Sequence, residues 1–106
     1  MTKGERRMDR VRSESLDKLY EVILRLETVE ECYDFFEDLC TIKELKDLSQ
    51  RLEVAFQLDR GLSYQAVAAE TGVSSATICR VKKCLDYGSG GYRRAIDRAD
   101  AQKAEV

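Results

Sequence analysis

The apolar residues of this chain recur every three or four positions, which is the spacing of a helix that buries one face. This spacing predicts a first helix over about residues 14–26. A second helix is predicted after Thr28, and a third after Thr41 that ends at Gly61. No segment shows the strict alternation of apolar and polar residues that is typical of a strand. We therefore predict an all-α fold of about six helices.

Two capping boxes define the starts of the second and third predicted helices. Thr28 precedes Glu31 by three residues, and Thr41 precedes Glu44 by the same interval. In such a box the hydroxyl and the carboxylate each accept a hydrogen bond from a backbone N–H group at the helix start. Each helix is therefore expected to begin directly after its threonine.

Residues 63–86 are predicted to form two short helices joined by a tight turn. Gly72 is placed in the turn because glycine adopts a positive φ at little energetic cost. Ser63 can cap the first helix, and Ser74 or Ser75 the second. This arrangement is that of a helix-turn-helix, whose second helix enters the major groove of DNA. The apolar residues that return at helical spacing along the second helix are Ile78, Val81 and Leu85.

The remaining side of the second helix has small and hydroxyl side chains at its start and basic ones further along. Small residues let the backbone approach a groove, Arg80 is suited to a guanine edge, and Lys82 and Lys83 are suited to phosphates. At the start of the first helix, the helix dipole also favours anions. The predicted DNA-binding residues are Tyr64, Gln65, Ser74, Ser75, Ala76, Thr77, Cys79, Arg80, Lys82 and Lys83.

The composition is that of one small helical domain that benefits from a partner chain. The chain has 106 residues, 43 % of them hydrophobic, and no proline. A single short unit cannot hide the apolar faces of three such helices, so we expect residues 14–60 to form a homodimer. A compact monomeric bundle is the alternative. Residues 13–106 are interpreted as one domain, with the helix-turn-helix over 63–86 and a last helix over 92–104.

The net charge of −2 is unevenly distributed along the chain. Residues 1–12 have a net charge of +3, residues 13–59 of −8, and residues 60–98 of +4. Phosphate attraction acts over a Debye length of roughly 8–10 Å, so a local basic face suffices for DNA binding. Residues 1–12 are predicted to be a flexible basic arm, which either follows DNA or is simply solvated.

The sequence does not favour catalysis, metal binding or a membrane location. Histidine is absent and the cysteines lack CxxC spacing, so neither a zinc site nor a Cys–His pair is indicated. No apolar run approaches the roughly 20 residues that span a bilayer, and the charged start lacks the apolar core of a signal peptide. We predict a cytoplasmic protein that is not an enzyme. The four cysteines, expected to be free thiols, are Cys32, Cys40, Cys79 and Cys84.

Three stretches of the sequence resemble the Trp repressor superfamily, and they occur in the same order and at the same separations as in that family. They are LSQRL within residues 41–52, RGLS at 60–63 and GVSSATICR at 72–80. The segment CLDYGSGGY resembles the TrpR-related YerC/YecD branch in particular. The resemblance covers roughly residues 14–98. It implies an intertwined homodimer that binds double-stranded DNA as a transcriptional regulator such as a repressor. A protein-interaction module built on the same two-helix scaffold is the alternative function.

The resemblance also locates a ligand slot, which in Trp repressor holds free tryptophan. The residues that contact the ligand correspond to Thr41, Arg51 and Arg80, which match the family. The family's serine corresponds to Cys84, and its glycine beside the indole corresponds to Val81. A ligand in this slot would be overpacked against the side chain of Val81, at a cost of roughly 1–3 kcal/mol. We therefore expect no cofactor, and no dependence on tryptophan.

Overall fold

The structure is a computed structural model that describes residues 12–105, and these residues form six α-helices and no strand. The prediction of an all-α fold of about six helices is confirmed. The predicted basic arm lies outside the described residues, apart from Arg12. The helices are α1 Glu14–Leu24, α2 Val29–Leu39, α3 Ile42–Asp59, α4 Tyr64–Thr71, α5 Ser75–Tyr87 and α6 Gly91–Glu105.

The predicted capping box at α3 is complete, whereas the one at α2 is formed in part, because the Glu31 carboxylate bonds the N–H of Glu27 and not that of the N-cap residue Thr28. At the start of α3, the N–H of Thr41 donates to Glu44 Oε1 over 2.8 Å, and the N–H of Glu44 donates to Thr41 Oγ1 over 3.1 Å. At the start of α2, the N–H of Glu31 donates to Thr28 Oγ1 over 3.1 Å, while its carboxylate accepts from the N–H of Glu27. α1 ends at Leu24, two residues earlier than predicted, and the N-cap residue Thr28 of α2 is extended.

The box at α3 gives the protein an expected sensitivity to acid. The backbone N–H and then the hydroxyl of Thr41 hold the pKa of Glu44 below its ordinary value. Stabilisation by a carboxylate with a lowered pKa is present above the ordinary pKa and is lost as the pH falls through the folded-state pKa. We expect Glu44→Gln to flatten the decline in unfolding free energy between about pH 5 and pH 3. Urea titrations at both pH values measure the free energy of unfolding of wild type and variant. Equal declines in the two proteins would contradict this prediction.

The described contacts divide the chain into two compact units, one ending at Leu45 and one beginning at Lys46. The first unit contains α1, α2 and the start of α3, and none of its described residues is buried. Its apolar side chains are extensively exposed, with Leu24 82 % and Ile42 86 % accessible. The interpretation of residues 13–106 as one domain remains a prediction.

The second unit has a continuous apolar core, to which α3, α4, α5 and α6 all contribute. The core residues of α3 recur at a spacing of three or four positions, as expected of one helix face. α5 contacts both α4 and α6, so the core fixes α5 from two sides. The buried apolar residues are Val54, Ala55, Leu58, Val67, Ile78, Val81 and Ile96.

The turn between α4 and α5 has the predicted left-handed glycine. Gly72 has a φ of 74°, and its N–H donates to the carbonyl of Ala68 over 2.9 Å. The hydroxyl of Thr71 donates to the carbonyl of Val67 over 2.7 Å. Ser63 caps α4 through the N–H of Ala66 at 3.1 Å. The turn is therefore set by local hydrogen bonds that the sequence encodes directly.

Replacing Gly72 with alanine should lower the free energy of unfolding by about 1–2 kcal/mol, because a Cβ disfavours the left-handed conformation. An added Cβ would have no atom within 4 Å, so conformational strain alone is responsible. Gly72→Asn is the matched control, and should lose less because asparagine tolerates positive φ. Denaturant unfolding distinguishes the two variants. Equal losses would indicate a steric cause instead.

The last helix is attached to the end of α3 by an ion pair. Arg93 Nη2 lies 2.6 Å from Asp59 Oδ1, and Arg93 Nη1 lies 3.3 Å from Asp97 Oδ1. These carboxylates raise the pKa of Arg93. The glycine-rich connector between α5 and α6 is short: Gly88 ends α5 with its N–H donating to the carbonyl of Cys84, and α6 begins at Gly91. The pair and the short connector together restrict how far α6 can move from α5.

Candidate nucleic-acid interface

The side of α5 that points away from the core forms one exposed stripe. Successive helical residues are rotated by about 100°, so residues at intervals of three or four share a side. Ile78 and Val81 point inward, being 1 % exposed each. Opposite them lie five exposed residues, which we call the outer face of α5. It comprises Ala76, Cys79, Arg80, Lys83 and Tyr87.

Tyr87 is the member of the outer face that the sequence reasoning missed. It is the last residue of α5 and is 73 % exposed. It follows Lys83 by four residues and Arg80 by seven along the sequence. That interval is the signal by which it could have been found. The outer face therefore extends over the full length of the helix.

Two of the predicted hydroxyl contacts have a structural role at the start of α5. Ser74 is the N-cap, and its Oγ accepts from the N–H of Thr77 over 3.2 Å. The two side-chain oxygens of these residues also lie 3.1 Å apart, within hydrogen-bond range. Ser75, the first residue of the helix, is exposed. The cap thus fixes the N-terminal end of α5, where the backbone N–H groups of the first turn have no partners within the helix.

The two lysines that were assigned to phosphates are placed differently. Lys83 is exposed on the outer face. Lys82 lies on the flank of α5, half-buried, with its Nζ 3.4 Å from Asp86 Oδ1. Since that ion pair partly neutralises the lysine, Lys83 is the better placed of the two for a phosphate. The prediction for Lys82 has no support from this geometry.

The start of α4 provides the remaining predicted contacts. Tyr64 is 42 % exposed and Gln65 is exposed, and both lie in the first turn of the helix. The N–H groups of a first helical turn have no partners within the helix and point along its axis. Further positive charge comes from Arg94 and Arg98, which are exposed on α6.

The predicted ligand-slot residues fall in both units. Thr41 caps α3 in the first unit. In the second unit, Arg51 is half-buried on α3, and Arg80 and Cys84 are exposed one turn apart on α5. Val81 is enclosed by the chain's own core, with 1 % of its surface exposed. The position that matters most for the indole is therefore occupied by a packed side chain.

Tyr92 is a further residue at this place that the sequence reasoning did not assign to a site. It is half-buried at the start of α6 and packs against the core. Burial raises its pKa, the Cys84 thiol also raises it, and Arg51 and Arg80 lower it. Its hydroxyl is therefore within electrostatic range of all three of these residues.

Neither a metal centre nor a membrane span is found in residues 12–105. No three Asp, Glu or Cys side chains there are grouped to hold a metal ion. Within the same residues, no helix combines the length and apolar character that crossing a bilayer requires. All four cysteines are free thiols, of which Cys79 and Cys84 are exposed.

The sequence is similar to proteins of one family along most of its length. The family model for the Trp repressor protein matches residues 14–100. The uncharacterized protein YerC of Bacillus subtilis (strain 168) is 50 % identical over 98 residues, which are 92 % of this chain and 94 % of that protein. This similarity confirms the resemblance to the YerC branch that the motifs indicated.

Two solved structures share the fold. A Trp repressor candidate from Staphylococcus aureus superimposes with a TM-score of 0.84 at 45 % identity, covering 88 % of this chain and 93 % of that one. A TrpR-like protein from Eubacterium eligens ATCC 27750 gives a TM-score of 0.83 at 43 % identity, covering 87 % of this chain and 95 % of that one. Sequence and fold agree, and the chain belongs to the Trp repressor protein family.

Proposed function

We propose that this protein is a dimeric, sequence-specific DNA-binding regulator of transcription, acting in the cytoplasm as a repressor. The observation that supports it most directly is the outer face of α5, where a small residue at the helix start is followed by Arg80 and Lys83 on the same side. Such a face fits the major groove, which admits an α-helix. Membership of the Trp repressor family supports the same role.

The residues of this face divide by chemistry into base-reading and phosphate-binding groups. Ala76 is small enough to meet a thymine methyl group, and Arg80 can donate two hydrogen bonds to a guanine. Lys83, further along the helix, and the first turn of α4 at Tyr64 and Gln65 suit phosphates. Phosphate contacts fix the position of the protein, whereas Arg80 supplies sequence information.

Dimerisation is proposed to occur through the first unit. Exposed apolar patches of this kind mark interaction sites in soluble proteins. Two copies joined there would present two α5 helices to successive major grooves about 34 Å apart. This arrangement predicts a palindromic operator with two half-sites.

Tryptophan is not proposed as a corepressor. Val81 packs inside the core at the place where the resemblance puts the indole. A ligand would have to displace a close-packed side chain, which is unfavourable. Isothermal titration calorimetry should show no tryptophan binding at micromolar concentration, and binding in that range would contradict this proposal.

Selection of bound DNA from a random pool tests the proposed function, and the recovered motif then serves for mutant measurements. Arg80→Ala should weaken binding to that motif by about 1–3 kcal/mol and relax the preference at one base pair. Lys83→Ala is the comparison, and should weaken all sequences alike and reduce the salt dependence by one phosphate contact. Fluorescence anisotropy at several salt concentrations measures both.

Each outcome has a distinct meaning. If Arg80→Ala weakened all sequences equally while Lys83→Ala changed the motif, the two roles would be exchanged. If the wild-type protein recovered no motif and its weak DNA binding showed no salt dependence, the regulator proposal would fail. The helix-turn-helix would then act as a protein-interaction scaffold.

A further inference from the structure

Tyr87 is the last residue on the outer face of α5. It lies four residues after Lys83 and seven after Arg80, and these intervals bring all three residues to the same side of the helix. Although its ring is apolar, Tyr87 is 73 % exposed. Tyrosine combines a broad apolar ring with a hydroxyl donor, and this combination is enriched at binding surfaces. The position and exposure of Tyr87 therefore fit a contact that forms when a partner binds the outer face.

The backbone beside Tyr87 is fixed by the way the helix ends. The N–H of Gly88 donates to the carbonyl of Cys84 over 2.9 Å, which closes the last turn of α5. A Cβ at position 88 would collide with the same carbonyl, so this close approach needs glycine. Tyr87 is therefore held on an ordered backbone, and binding has to order only its side chain.

The last turn of α5 contains no basic residue. Its acidic residue, Asp86, is paired with Lys82, whose Nζ lies 3.4 Å from Asp86 Oδ1. Successive residues of a helix are rotated by about 100°, so this ion pair lies on the flank of α5 and not on the side of Tyr87. The group that the outer face presents at this end is therefore a neutral hydroxyl, with no carboxylate on the same side.

The length of α5 brings Tyr87 to the border of a DNA groove. The 13 residues of α5 span about 20 Å, whereas the major groove is about 12 Å wide. A reading helix contacts base edges through its N-terminal residues. Tyr87 lies about 10 Å along the helix axis from Arg80. When the start of α5 is at the bases, the ring of Tyr87 therefore reaches the sugar–phosphate strand beside the groove.

We propose that Tyr87 binds the DNA backbone, with its hydroxyl donating a hydrogen bond to a phosphate oxygen and its ring packing on the adjacent deoxyribose. This inference rests on the proposed function. Tyrosine is among the side chains that contact phosphates in protein–DNA complexes. Because the hydroxyl is neutral, its contact neutralises no phosphate and releases no counterion, unlike a contact by Lys83. Tyr87 fixes the position of α5 in the groove, while Arg80 reads the base.

The test measures operator affinity for Tyr87→Ala, Tyr87→Phe and Gln102→Ala in the full chain. Affinity should fall about tenfold for Tyr87→Ala and about fivefold for Tyr87→Phe, because phenylalanine keeps the ring and loses the donor. Gln102 is an exposed residue of α6, and its truncation should leave affinity unchanged. Circular dichroism at the assay temperature establishes that each variant is folded. A folded Tyr87→Phe variant with wild-type affinity would overturn the proposal.

Two comparisons distinguish a neutral phosphate contact from base reading and from a charge effect. The loss in Tyr87→Phe should be equal on the operator and on its single-base variants, since phosphate contacts carry no sequence information. The slope of log affinity against log salt should be unchanged in Tyr87→Phe and smaller by about 0.9 in Lys83→Ala. A loss confined to the operator, or a smaller slope in Tyr87→Phe, would overturn the assignment.

Operators with one phosphate at a time replaced by a methylphosphonate locate the contact. Replacing the contacted phosphate should weaken binding by the wild-type protein more than binding by Tyr87→Phe, because the variant has already lost the hydrogen bond. Equal losses in the two proteins at every phosphate would reject the contact of Tyr87 alone. If the wild-type protein bound no duplex DNA at any salt concentration, the proposed function would fail, and this contact with it.

Discussion

Replacing Ile78 with alanine should lower the free energy of unfolding by about 2–5 kcal/mol, among the largest losses for a single substitution in this chain. Ile78 is 1 % exposed and lies in the core shared by α3, α4, α5 and α6. The truncation removes buried apolar surface and leaves a cavity that close-packed neighbours fill only partly. Urea unfolding measures the loss, at one fixed protein concentration because dimers unfold in a concentration-dependent way.

Ser75→Ala is the control on the same helix. Ser75 is exposed, so its truncation should change the free energy of unfolding by at most about 0.5 kcal/mol. DNA affinity should also fall in Ile78→Ala under conditions where part of the protein is unfolded. A loss below about 1 kcal/mol would show that Ile78 is not in a tightly packed core.

Replacing Ile42 with glutamate should convert the proposed dimer into a monomer. Ile42 is 86 % exposed within the single chain, yet it belongs to the apolar face of the first unit. An acid at the first position of a helix is locally favourable, because it meets the positive end of the helix dipole. The helix should therefore persist. The dimer should be destabilised, because its interface would bury the charge of the new carboxylate. Sedimentation velocity at micromolar concentration measures the result.

Tyr87→Glu is the matched control for this prediction. It also places a carboxylate at an exposed apolar position, but in the second unit, so it should leave the dimer intact. A monomer presents one α5 helix to the operator, whereas the dimer presents two. The affinity of Ile42→Glu for the operator should therefore be about 10²–10⁴-fold lower than that of the wild-type protein. A wild-type protein that sediments as a monomer, or an Ile42→Glu variant that remains dimeric, would contradict the proposed interface.

Features that depend on neighbours in sequence were predictable from the chain alone. The capping boxes at Thr28 and Thr41 require only a hydroxyl and a carboxylate three residues apart. The left-handed turn at Gly72 and the cap at Ser74 likewise involve hydrogen bonds over two to four residues. For the same reason, the helical periodicity located all six helices to within about two residues.

Other features depend on helices that are distant in sequence. Lys82 and Lys83 are adjacent and chemically equal, yet only Lys83 is on the outer face. Their difference arises because α5 is fixed against α4 and α6, and that packing determines which side of α5 is outward.

The sequence by itself determined the helices, their caps, the turn of the helix-turn-helix and the family, because these depend on local hydrogen bonds and residue spacing. It also indicated that Val81 departs from the family's ligand slot. Only the tertiary structure decided that Arg93, near the start of α6, pairs with Asp59 at the end of α3. The two residues are 34 positions apart along the chain. They come together because Ile96 holds α6 on the core to which α3 also contributes, a placement that no local pattern encodes.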